Sequence, residues 1–285
     1  MTIRELLNHG SKLAIDNNKE ERAAYELLKV LTNLESYELY AKLDEQVANT
    51  IEVKFETMLK EYIYGTPLQH ILGYETFFGR DLIVNEDVLI PRYETEELVE
   101  NILYHIDDYF EDYETIKIGD VGSGSGAIAI TLDLEEAKAK VYGSDISAKA
   151  LVVAQANNDK FEADVTFMQG DLLQPFIDNN LKLDFFVSNP PYIPNQQEIQ
   201  ATVKDFEPNV ALFGGNDGLD FYRRIFEDVD KITEEKAIMA FEFGYDQKEI
   251  MEEAIKHYFP NYEYEIIKDI NGKDRMLFIY KNIKK

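Results

Sequence analysis

The segment LDFFVSNPPYIP, residues 183–194, places groups that can hold a planar amino group directly after an apolar run. Prolines cannot extend a central strand, because each lacks the N–H that the ladder needs, so the strand must end before Pro190 and Pro191. The Asn189 side-chain oxygen and the Pro190 carbonyl can accept the two protons of an –NH2 group, while the Tyr192 ring stacks on its plane. We therefore interpret this motif as a site that aims one nitrogen atom at an incoming group.

A second segment, IKIGDVGSGSGAIAI, predicts a strand that runs through a glycine-rich turn into a helix. Glycines let the backbone turn sharply and approach a ligand, and the helix N-terminus adds free N–H groups. About 20 residues further on, the next predicted strand ends in Asp145, which can accept hydrogen bonds from both hydroxyls of a ribose. A turn needed only for packing would explain the glycines but not this acidic residue. The pattern indicates an adenosine-containing cofactor held by these residues of the turn: Gly122, Ser123, Gly124, Ser125 and Gly126.

The turn alone leaves two classes of cofactor open. Gly122, Gly124 and Ala127 also fit the G-x-G-x-x-G/A sequence of dinucleotide-binding folds, in which the helix N-terminus receives a pyrophosphate. Asp120 favours S-adenosylmethionine, because a carboxylate there suits the methionine ammonium and would repel a pyrophosphate. Asp171, just past the third predicted strand of the sheet, is placed to meet the adenine edge. A nicotinamide-dependent dehydrogenase has no use for Asn-Pro-Pro-Tyr, so the two motifs together favour S-adenosylmethionine and N-methylation.

Composition restricts the class of partner. The 285 residues include 29 Lys and Arg against 55 Asp and Glu, a formal net charge of −26. Such a surface repels phosphate backbones, so we expect no stable nucleic-acid binding, and a basic protein partner is easier to accommodate. There is no cysteine and the four histidines lack ligand spacing, so no metal site is predicted. No apolar run reaches about 18 residues and no signal peptide is evident, so we expect a cytoplasmic protein that does not bind membranes.

The N-terminal part of the chain has a helical period. Apolar residues recur at helical spacing over residues 2–62, where Thr2 and Glu5 fit a capping box and the final helix is predicted over Asp44–Tyr62. After Gly65 the sequence becomes rich in glycine and proline, which predicts a hairpin connector. The short strands expected in it are Glu75–Phe78, Leu82–Val84 and Val88–Ile90.

From Glu94 onward, predicted strands alternate with predicted helices, which is typical of a sheet covered on both faces. We therefore predict an α/β fold, a doubly wound, mostly parallel seven-stranded sheet that ends in a hairpin at Asn271-Gly272. The predicted strands are Ile116–Val121, Lys140–Ser144, Val165–Gln169, Phe185–Ser188, Ala237–Phe243, Tyr264–Lys268 and Met276–Tyr280.

The chain resembles the HemK-type protein-(glutamine-N5) methyltransferases, which act on peptide chain release factors. Asn-Pro-Pro-Tyr is shared with adenine and cytosine methylases of nucleic acids, whereas the Ile-Pro-Arg-x-Glu-Thr-Glu and Glu-Pro…Gly-Gly…Gly-Leu segments are more specific. The family usually has a second proline where this chain has Tyr93, which leaves the backbone less rigid there. The segments that carry the resemblance cover nearly the whole chain, in family order: TPLQHILGYETFFG, VLIPRYETEELVE, DVGSGSGAIAI, SDISAKAL, VSNPPYI, DFEPNVALFGGNDGL and EFGYDQ.

The resemblance implies a class I, Rossmann-like methyltransferase domain over residues 94–285. Before it would come an N-terminal helical domain over residues 1–73 that recognises the substrate, and the hairpin connector over residues 74–93. The implied reaction transfers a methyl group from S-adenosylmethionine to the glutamine side-chain nitrogen N5 in the Gly-Gly-Gln motif of class 1 release factors. Two alternatives are an adenine-N6 or cytosine-N4 methyltransferase acting on nucleic acid and a non-catalytic binding protein that kept the fold. We expect a monomer.

The resemblance also assigns roles to residues. The glycine turn, Asp120 and Asp145 would hold S-adenosylmethionine, with Asp171 and Leu172 near its adenine. Asn189 would contact both the cofactor and the substrate. The glutamine of the release factor would be held by Asn189, Pro190, Pro191 and Tyr192, among which Asn189, Pro190 and Tyr192 would carry the catalytic role.

Overall fold

The computed structural model describes residues 1–199 and 201–284, and the chain forms two compact units. The first unit comprises Met1–Tyr74 and Ile199–Phe206, and the second comprises Glu75–Glu198 and Glu207–Lys285. Nowhere in the described part of the chain is a helix both long enough and apolar enough to cross a membrane.

The described residues form twelve α-helices and nine strands. The helices are α1 Ile3–Asp16, α2 Arg22–Thr32, α3 Ser36–Ala41, α4 Asn49–Tyr64, α5 Leu68–Leu72, α6 Tyr93–Tyr109, α7 Ala127–Glu135, α8 Ala148–Phe161, α9 Gln174–Asp178, α10 Ala201–Phe206, α11 Asp220–Asp228 and α12 Lys248–Tyr258. The strands are β1 Tyr74–Phe77, β2 Arg80–Ile83, β3 Ile116–Val121, β4 Ala139–Asp145, β5 Thr166–Gln169, β6 Leu183–Ser188, β7 Thr233–Glu242, β8 Glu263–Lys268 and β9 Asp274–Lys281.

The first unit begins with the predicted capping box. The Thr2 hydroxyl accepts the N–H of Glu5, and the Glu5 carboxylate accepts the N–H of Thr2, which satisfies two donors at the start of α1. The prediction of a helix from Asp44 is wrong at its start, since α4 begins at Asn49. The residues before α4 pair instead with the chain start, where Gln46 forms a β-bridge to Thr2. The apolar stripes of α1, α2 and α4 bury one cluster, which includes Leu6, Leu27, Leu28, Phe55 and Leu59.

The connector forms one hairpin and not three strands. Strands β1 and β2 pair with each other, and the turn between them has Phe78 and Gly79 at positive φ. The predicted third strand at Val88–Ile90 is wrong. Its backbone serves other contacts: the N–H of Ile90 donates to the Glu207 carboxylate, and the Val88 side chain packs into a small cluster with residues of α8.

The main sheet confirms the predicted α/β fold. Its strand order is β5-β4-β3-β6-β7-β9-β8, with β5, β4, β3, β6 and β7 parallel. Strand β9 runs antiparallel to both of its neighbours, β7 and β8, as the predicted terminal hairpin requires. Strand β3 has the bounds predicted for it, and each of the other six strands overlaps its prediction.

Both faces of this sheet are covered, which explains why its central strands read as continuous apolar runs. Alternate residues of β7 point to opposite faces, with Ile238 and Ala240 in one cluster and Met239 and Phe241 in the other. Helices α6 and α7 contribute to the first cluster, and α11 and α12 to the second.

The sheet also determines where a ligand can bind. From β3 the chain proceeds outward through β4 to β5, and it then returns to the other side of β3 to form β6. Such a reversal leaves a crevice at the carboxyl ends of the two adjacent strands, the usual ligand site of doubly wound sheets. The glycine turn follows β3, and Asn189 follows β6.

Candidate active site

A cavity of about 250 Å³ lies at this crevice within the second unit. Residues at or just after the carboxyl ends of β3, β4, β5 and β6 line this cavity. Four separate segments of the predicted site therefore meet there. The residues that line it are Asp87, Val88, Leu89, Val121, Gly122, Gly124, Ser144, Asp145, Ile146, Ser147, Ala150, Gly170, Asp171, Leu172, Asn189, Pro190, Pro191, Pro208, Val210, Ala211, Phe221 and Arg224.

The glycine turn forms one wall of the cavity. Gly122 and Gly124 both line it and have positive φ values of 78° and 55°, which side chains of L-residues rarely adopt. A Cβ atom added to either would meet no atom within 4 Å, so it would project into open space that a ligand can fill. The turn therefore leaves room for close approach of a cofactor to the backbone, as S-adenosylmethionine would require.

The other residues of the turn support the wall from behind. Ser123 and Ser125 are buried, and the Ser123 hydroxyl donates to the backbone carbonyl of Asp120. The carbonyl of Ser125 accepts the side-chain N–H of Asn157. Gly126 caps the N-terminus of α7, so the predicted opening of a helix directly after the turn is observed.

Asp145 lies at the end of β4 with its carboxylate in the cavity wall. Its Oδ2 accepts the N–H of Gly124 at 2.9 Å, and its Oδ1 accepts the N–H of Ser147 at 2.8 Å. Burial raises the pKa of this carboxyl, which the two backbone N–H donors partly oppose. Each carboxylate oxygen keeps a further lone pair, so Asp145 can both order the glycine turn and accept hydrogen bonds from a ligand.

Asp120 lies behind the cavity wall and is fully buried. Neither carboxylate oxygen makes a hydrogen bond of good geometry within the described part of the chain. Burial raises the pKa of Asp120 to about 7, and the nearby charge of Asp145 adds to the increase. Contacts with the Ser123 hydroxyl and the Ala129 N–H oppose this increase only in part. A buried carboxylate without well-formed hydrogen bonds is costly, and a cationic group of a ligand would compensate it. The site therefore fits a cofactor that carries an ammonium close to β3.

Asp171 and Leu172 line the cavity beside Gly170, as predicted for the adenine side of the site. The Asp171 carboxylate is half exposed and pairs with Arg224, at 2.5 Å between Oδ2 and Nη2. Leu172 has a positive φ of 50°, and its carbonyl accepts the hydroxyl of Ser144. A contact between Asp171 and a ligand would therefore form beside the guanidinium of Arg224.

Asn189, Pro190 and Pro191 line the same cavity as the glycine turn. The side-chain NH2 of Asn189 donates to the hydroxyl of Thr95, at 3.2 Å between Nδ2 and Oγ1. The backbone that follows is fixed by the loop after α10, because the N–H of Ile193 donates to the carbonyl of Leu212. No described N–H group is bonded to the Pro190 carbonyl. The two residues predicted to supply the acceptors thus both line the cavity, and their role as acceptors stays a prediction.

Tyr192 does not line the cavity, unlike Pro190 and Pro191. It packs against the second core cluster, and its carbonyl accepts the side-chain N–H of Gln247 at 2.8 Å. Its hydroxyl donates to Glu242, at 3.4 Å between oxygen atoms, and burial raises the pKa of that hydroxyl. Of the predicted site residues, those not in the cavity wall are Asp120, Ser123, Ser125, Gly126 and Tyr192.

Sequence reasoning missed two polar residues that contact the motif. Thr95 lies in the first turn of α6, and Glu242 ends β7; both are buried. The cavity wall formed by Asp87, Val88 and Leu89 was also missed, as was the wall after Glu207. Thr95 and Glu242 could have been found from the family resemblance. They fall in two of the segments that carry it, YETEE and EFGYDQ, to which no role in the site was assigned.

Two family models and several curated proteins match the chain. Residues 5–73 match the PrmC N-terminal domain family, and residues 101–209 match the Methyltransferase small domain family. The chain is 42% identical over 280 residues to the release factor glutamine methyltransferase of Bacillus cereus. The aligned region covers 98% of this chain and 99% of the Bacillus cereus protein. It is also 42% identical over 285 residues to the protein of that name from Bacillus subtilis, with 99% of each chain covered.

A solved structure shares the fold. The T. thermophilus 16S rRNA N2 G1207 methyltransferase, in complex with AdoMet and guanosine, matches with a TM-score of 0.52 and 14% identity, covering 73% of this chain and 50% of that chain. The fold and the site define a class I methyltransferase that uses S-adenosylmethionine. The chain belongs to the release factor glutamine methyltransferase family, which confirms the resemblance found in the sequence.

Proposed function

We propose that the protein methylates the side-chain nitrogen N5 of the glutamine in the Gly-Gly-Gln motif of a peptide chain release factor. One observation supports the proposal: Asn189 and Pro190, which would supply the two amide acceptors, line the same cavity as Gly122, Gly124 and Asp145. A cofactor held by the turn and an amide held by the acceptors would therefore meet in one cavity.

The chain's own residues account for cofactor binding. Asp145 would accept hydrogen bonds from the ribose hydroxyls, and Asp120 would compensate the ammonium of the methionine part. Ile146 is 55% exposed beside Asp145 in the cavity wall, where it offers apolar surface to the adenine. When bound, S-adenosylmethionine supplies an electrophilic methyl group on its sulfonium.

The remaining task is to make an amide nitrogen react. An amide nitrogen is a poor nucleophile, because its lone pair is delocalised into the carbonyl group. Asn189 and Pro190 would hold its two protons and so fix its direction, and orientation of this kind supplies about 7–11 kcal/mol in favourable cases. The same two oxygens would stabilise the positive charge that grows on the nitrogen, as preorganised dipoles do in other active sites.

The first unit would recognise the protein substrate. It is built from helices around its own core, and its residues 5–73 match the PrmC N-terminal domain family. The division into residues 1–73, 74–93 and 94–285 is part of the proposal: the first range would bind the release factor, and the last would hold the cofactor and carry out the reaction.

A transfer assay tests the proposed function. The protein is incubated with labelled S-adenosylmethionine and, side by side, with a class 1 release factor, the same factor with its motif glutamine changed to alanine, DNA and RNA. We expect label on the unchanged release factor, and mass spectrometry should place one methyl group on the motif glutamine. Label on DNA or RNA but not on the release factor would replace the proposal with nucleic-acid methylation.

A further inference from the structure

A chain of buried hydrogen-bonding groups leads from β7 to the amide of Asn189. Glu242 is 2% exposed and Thr95 is 5% exposed, so both are shielded from water. Thr95 Oγ1 lies 2.7 Å from Glu242 Oε2, and Asn189 Nδ2 lies 3.2 Å from Thr95 Oγ1. Asn189 follows β6, whereas Thr95 lies in α6 and Glu242 ends β7. Thr95 is 147 positions from Glu242 in the sequence.

The acidic end of this chain determines the direction of every hydrogen bond in it. An ionised carboxylate only accepts hydrogen bonds, so the Thr95 hydroxyl has to donate its single proton to Glu242. Thr95 Oγ1 can then only accept, which obliges Asn189 to turn its NH2 group toward Thr95. The carbonyl oxygen of Asn189 is thereby left to face the cavity that this residue lines.

Burial raises the pKa of Glu242, and three neighbouring groups oppose that increase. The Thr95 and Tyr192 hydroxyls donate to it, and the positive charge of Arg275 is near. The negative charge of Glu94 acts with burial and raises the pKa further. The backbone carbonyl of Glu242 accepts the hydroxyl of Tyr222, so the residue is held at both its ends.

We propose that Glu242 and Thr95 are positioning residues that make the site select an amide –NH2 group and reject a carboxylate. This inference rests on the proposed function, because it assigns Asn189 Oδ1 to the substrate amide. With Oδ1 facing the cavity, a glutamine donates one amide proton to Oδ1 and the other to the Pro190 carbonyl, whereas a glutamate presents a negatively charged oxygen and is repelled. If the Asn189 amide could turn over, its NH2 group would face the cavity. It would then donate to the glutamate carboxylate, and the site would bind the glutamate form.

The test compares two forms of the release factor as ligands: the normal one and one with the motif glutamine changed to glutamate. Thr95→Val removes the hydroxyl and nearly conserves the volume, and Thr95→Ser keeps the hydroxyl. For Thr95→Val we expect kcat on the normal factor to fall about tenfold and the inhibition constant of the glutamate form to fall by a similar factor, as the reversal of one hydrogen bond implies. Thr95→Ser should restore both values.

Two further variants keep the result interpretable. Glu242→Gln lets Thr95 accept instead of donate, so the inhibition constant of the glutamate form should fall there as well. Thr233→Val removes another buried hydroxyl of the second unit, outside the cavity wall, and should leave that constant unchanged. An inhibition constant does not depend on the fraction of enzyme that is folded, so a loss of stability cannot imitate the expected result.

The outcomes separate the two proposals. If the wild-type protein methylates the glutamine but Thr95→Val leaves the inhibition constant of the glutamate form unchanged, the positioning role is wrong, even where kcat falls. If the wild-type protein does not methylate the release factor at all, the proposed function itself fails.

Discussion

Arg92 and Glu207 form an ion pair between segments 115 residues apart, at 2.6 Å between Nη2 and Oε1. Glu207 is 5% exposed, and its other carboxylate oxygen accepts the N–H of Ile90. The pair joins the residue that precedes α6 to the segment whose Pro208 lines the cavity. The two sequence segments most specific to the family therefore meet in the structure, where they support one wall of the site.

The start of α6 leads to a prediction about stability. Tyr93 is its first residue, the position at which proline is most easily accommodated, and its side chain is 62% exposed. Arg92 before it is extended, at φ −109° and ψ 149°, as a residue that precedes proline prefers. We expect Tyr93→Pro to raise the free energy of unfolding by about 0.4–1 kcal/mol, measured by urea denaturation, because it restricts the unfolded chain. Tyr93→Ala is the control, and a Tyr93→Pro protein less stable than this control would contradict the account.

Asn189 is the residue expected to matter most for rate. Asn189→Ala should slow methyl transfer about 10²–10³-fold, by analogy with the loss of one donor from an oxyanion hole. Asn189→Asp keeps an acceptor but adds a charge that can misplace the sulfonium, so its rate should fall between those of wild type and Asn189→Ala. Single-turnover rates at saturating cofactor and release factor measure both. If Asn189→Ala transfers methyl at the wild-type rate, the motif has no catalytic role and serves only as the turn that ends β6.

Asp145 is expected to control affinity for the cofactor. Asp145→Ala removes the acceptors for the ribose and also the partner of the Gly124 N–H, so S-adenosylmethionine should bind roughly ten- to hundredfold more weakly. Calorimetry measures the change, and Asp107→Ala, at an exposed position of α6, is the control. Unchanged affinity in Asp145→Ala would remove this residue from the binding site.

Asp120 leads to a prediction about protons. If the ammonium of the cofactor binds beside Asp120, the pKa of about 7 must fall in the complex, so the protein should release about half a proton on binding at pH 7. Calorimetry in buffers of different ionisation enthalpy measures this number. The difference between wild type and Asp120→Asn gives the proton release that depends on this carboxyl group. An equal number of released protons in the two proteins would contradict the assignment.

The same pKa predicts how the free protein responds to pH. Folding raises the pKa of Asp120 from 3.8 to about 7, so the folded state binds this proton more tightly than the unfolded state does. The contribution of Asp120 to the free energy of unfolding is therefore greatest below pH 3.8, falls as the pH rises through 7 and then stays constant. Comparing Asp120→Asn with wild type across this range should show the difference.

The first unit can be perturbed by itself through Gly10 of α1. A Cβ atom at Gly10 would lie 2.6 Å from Phe55 Cζ and 2.8 Å from Ala24 Cβ, so Gly10→Val overpacks this helical core by about 1–3 kcal/mol. We expect a lower melting temperature of the first unit and slower methylation of release factor, with unchanged affinity for S-adenosylmethionine. Lys12→Val places the same side chain at an exposed position of the same helix. A parallel loss of cofactor affinity in Gly10→Val would contradict the proposed division of roles.

Much of the cavity could be predicted from the sequence because parallel strands end at a common edge. Asp145, Asp171 and Asn189 each lie at or just past the end of a predicted strand, and a doubly wound sheet places such residues together whatever the details of packing. Thr95 and Glu242 could not be found in this way. Their contact depends on how α6 lies over β7, a relationship that no local period in the sequence encodes.

The connector shows the same limit. Val88–Ile90 has the composition of a strand, but a strand needs a partner, and here the N–H of Ile90 finds the buried carboxylate of Glu207. Burial of Val88 against α8 satisfies its apolar side chain without a sheet. Tertiary contacts outweighed β-propensity at these positions, as they commonly do in short segments.

The position of β9 has a consequence for the order of assembly during synthesis. Strand β9 pairs with β7 on one side and β8 on the other. The sheet is therefore incomplete until the ribosome has made residues through Lys281. All residues of the cavity wall, from Asp87 to Arg224, are made earlier. A message truncated before Asp274 would thus encode the whole cavity wall yet leave β7 with an open apolar edge, the kind of surface that chaperones and proteases recognise.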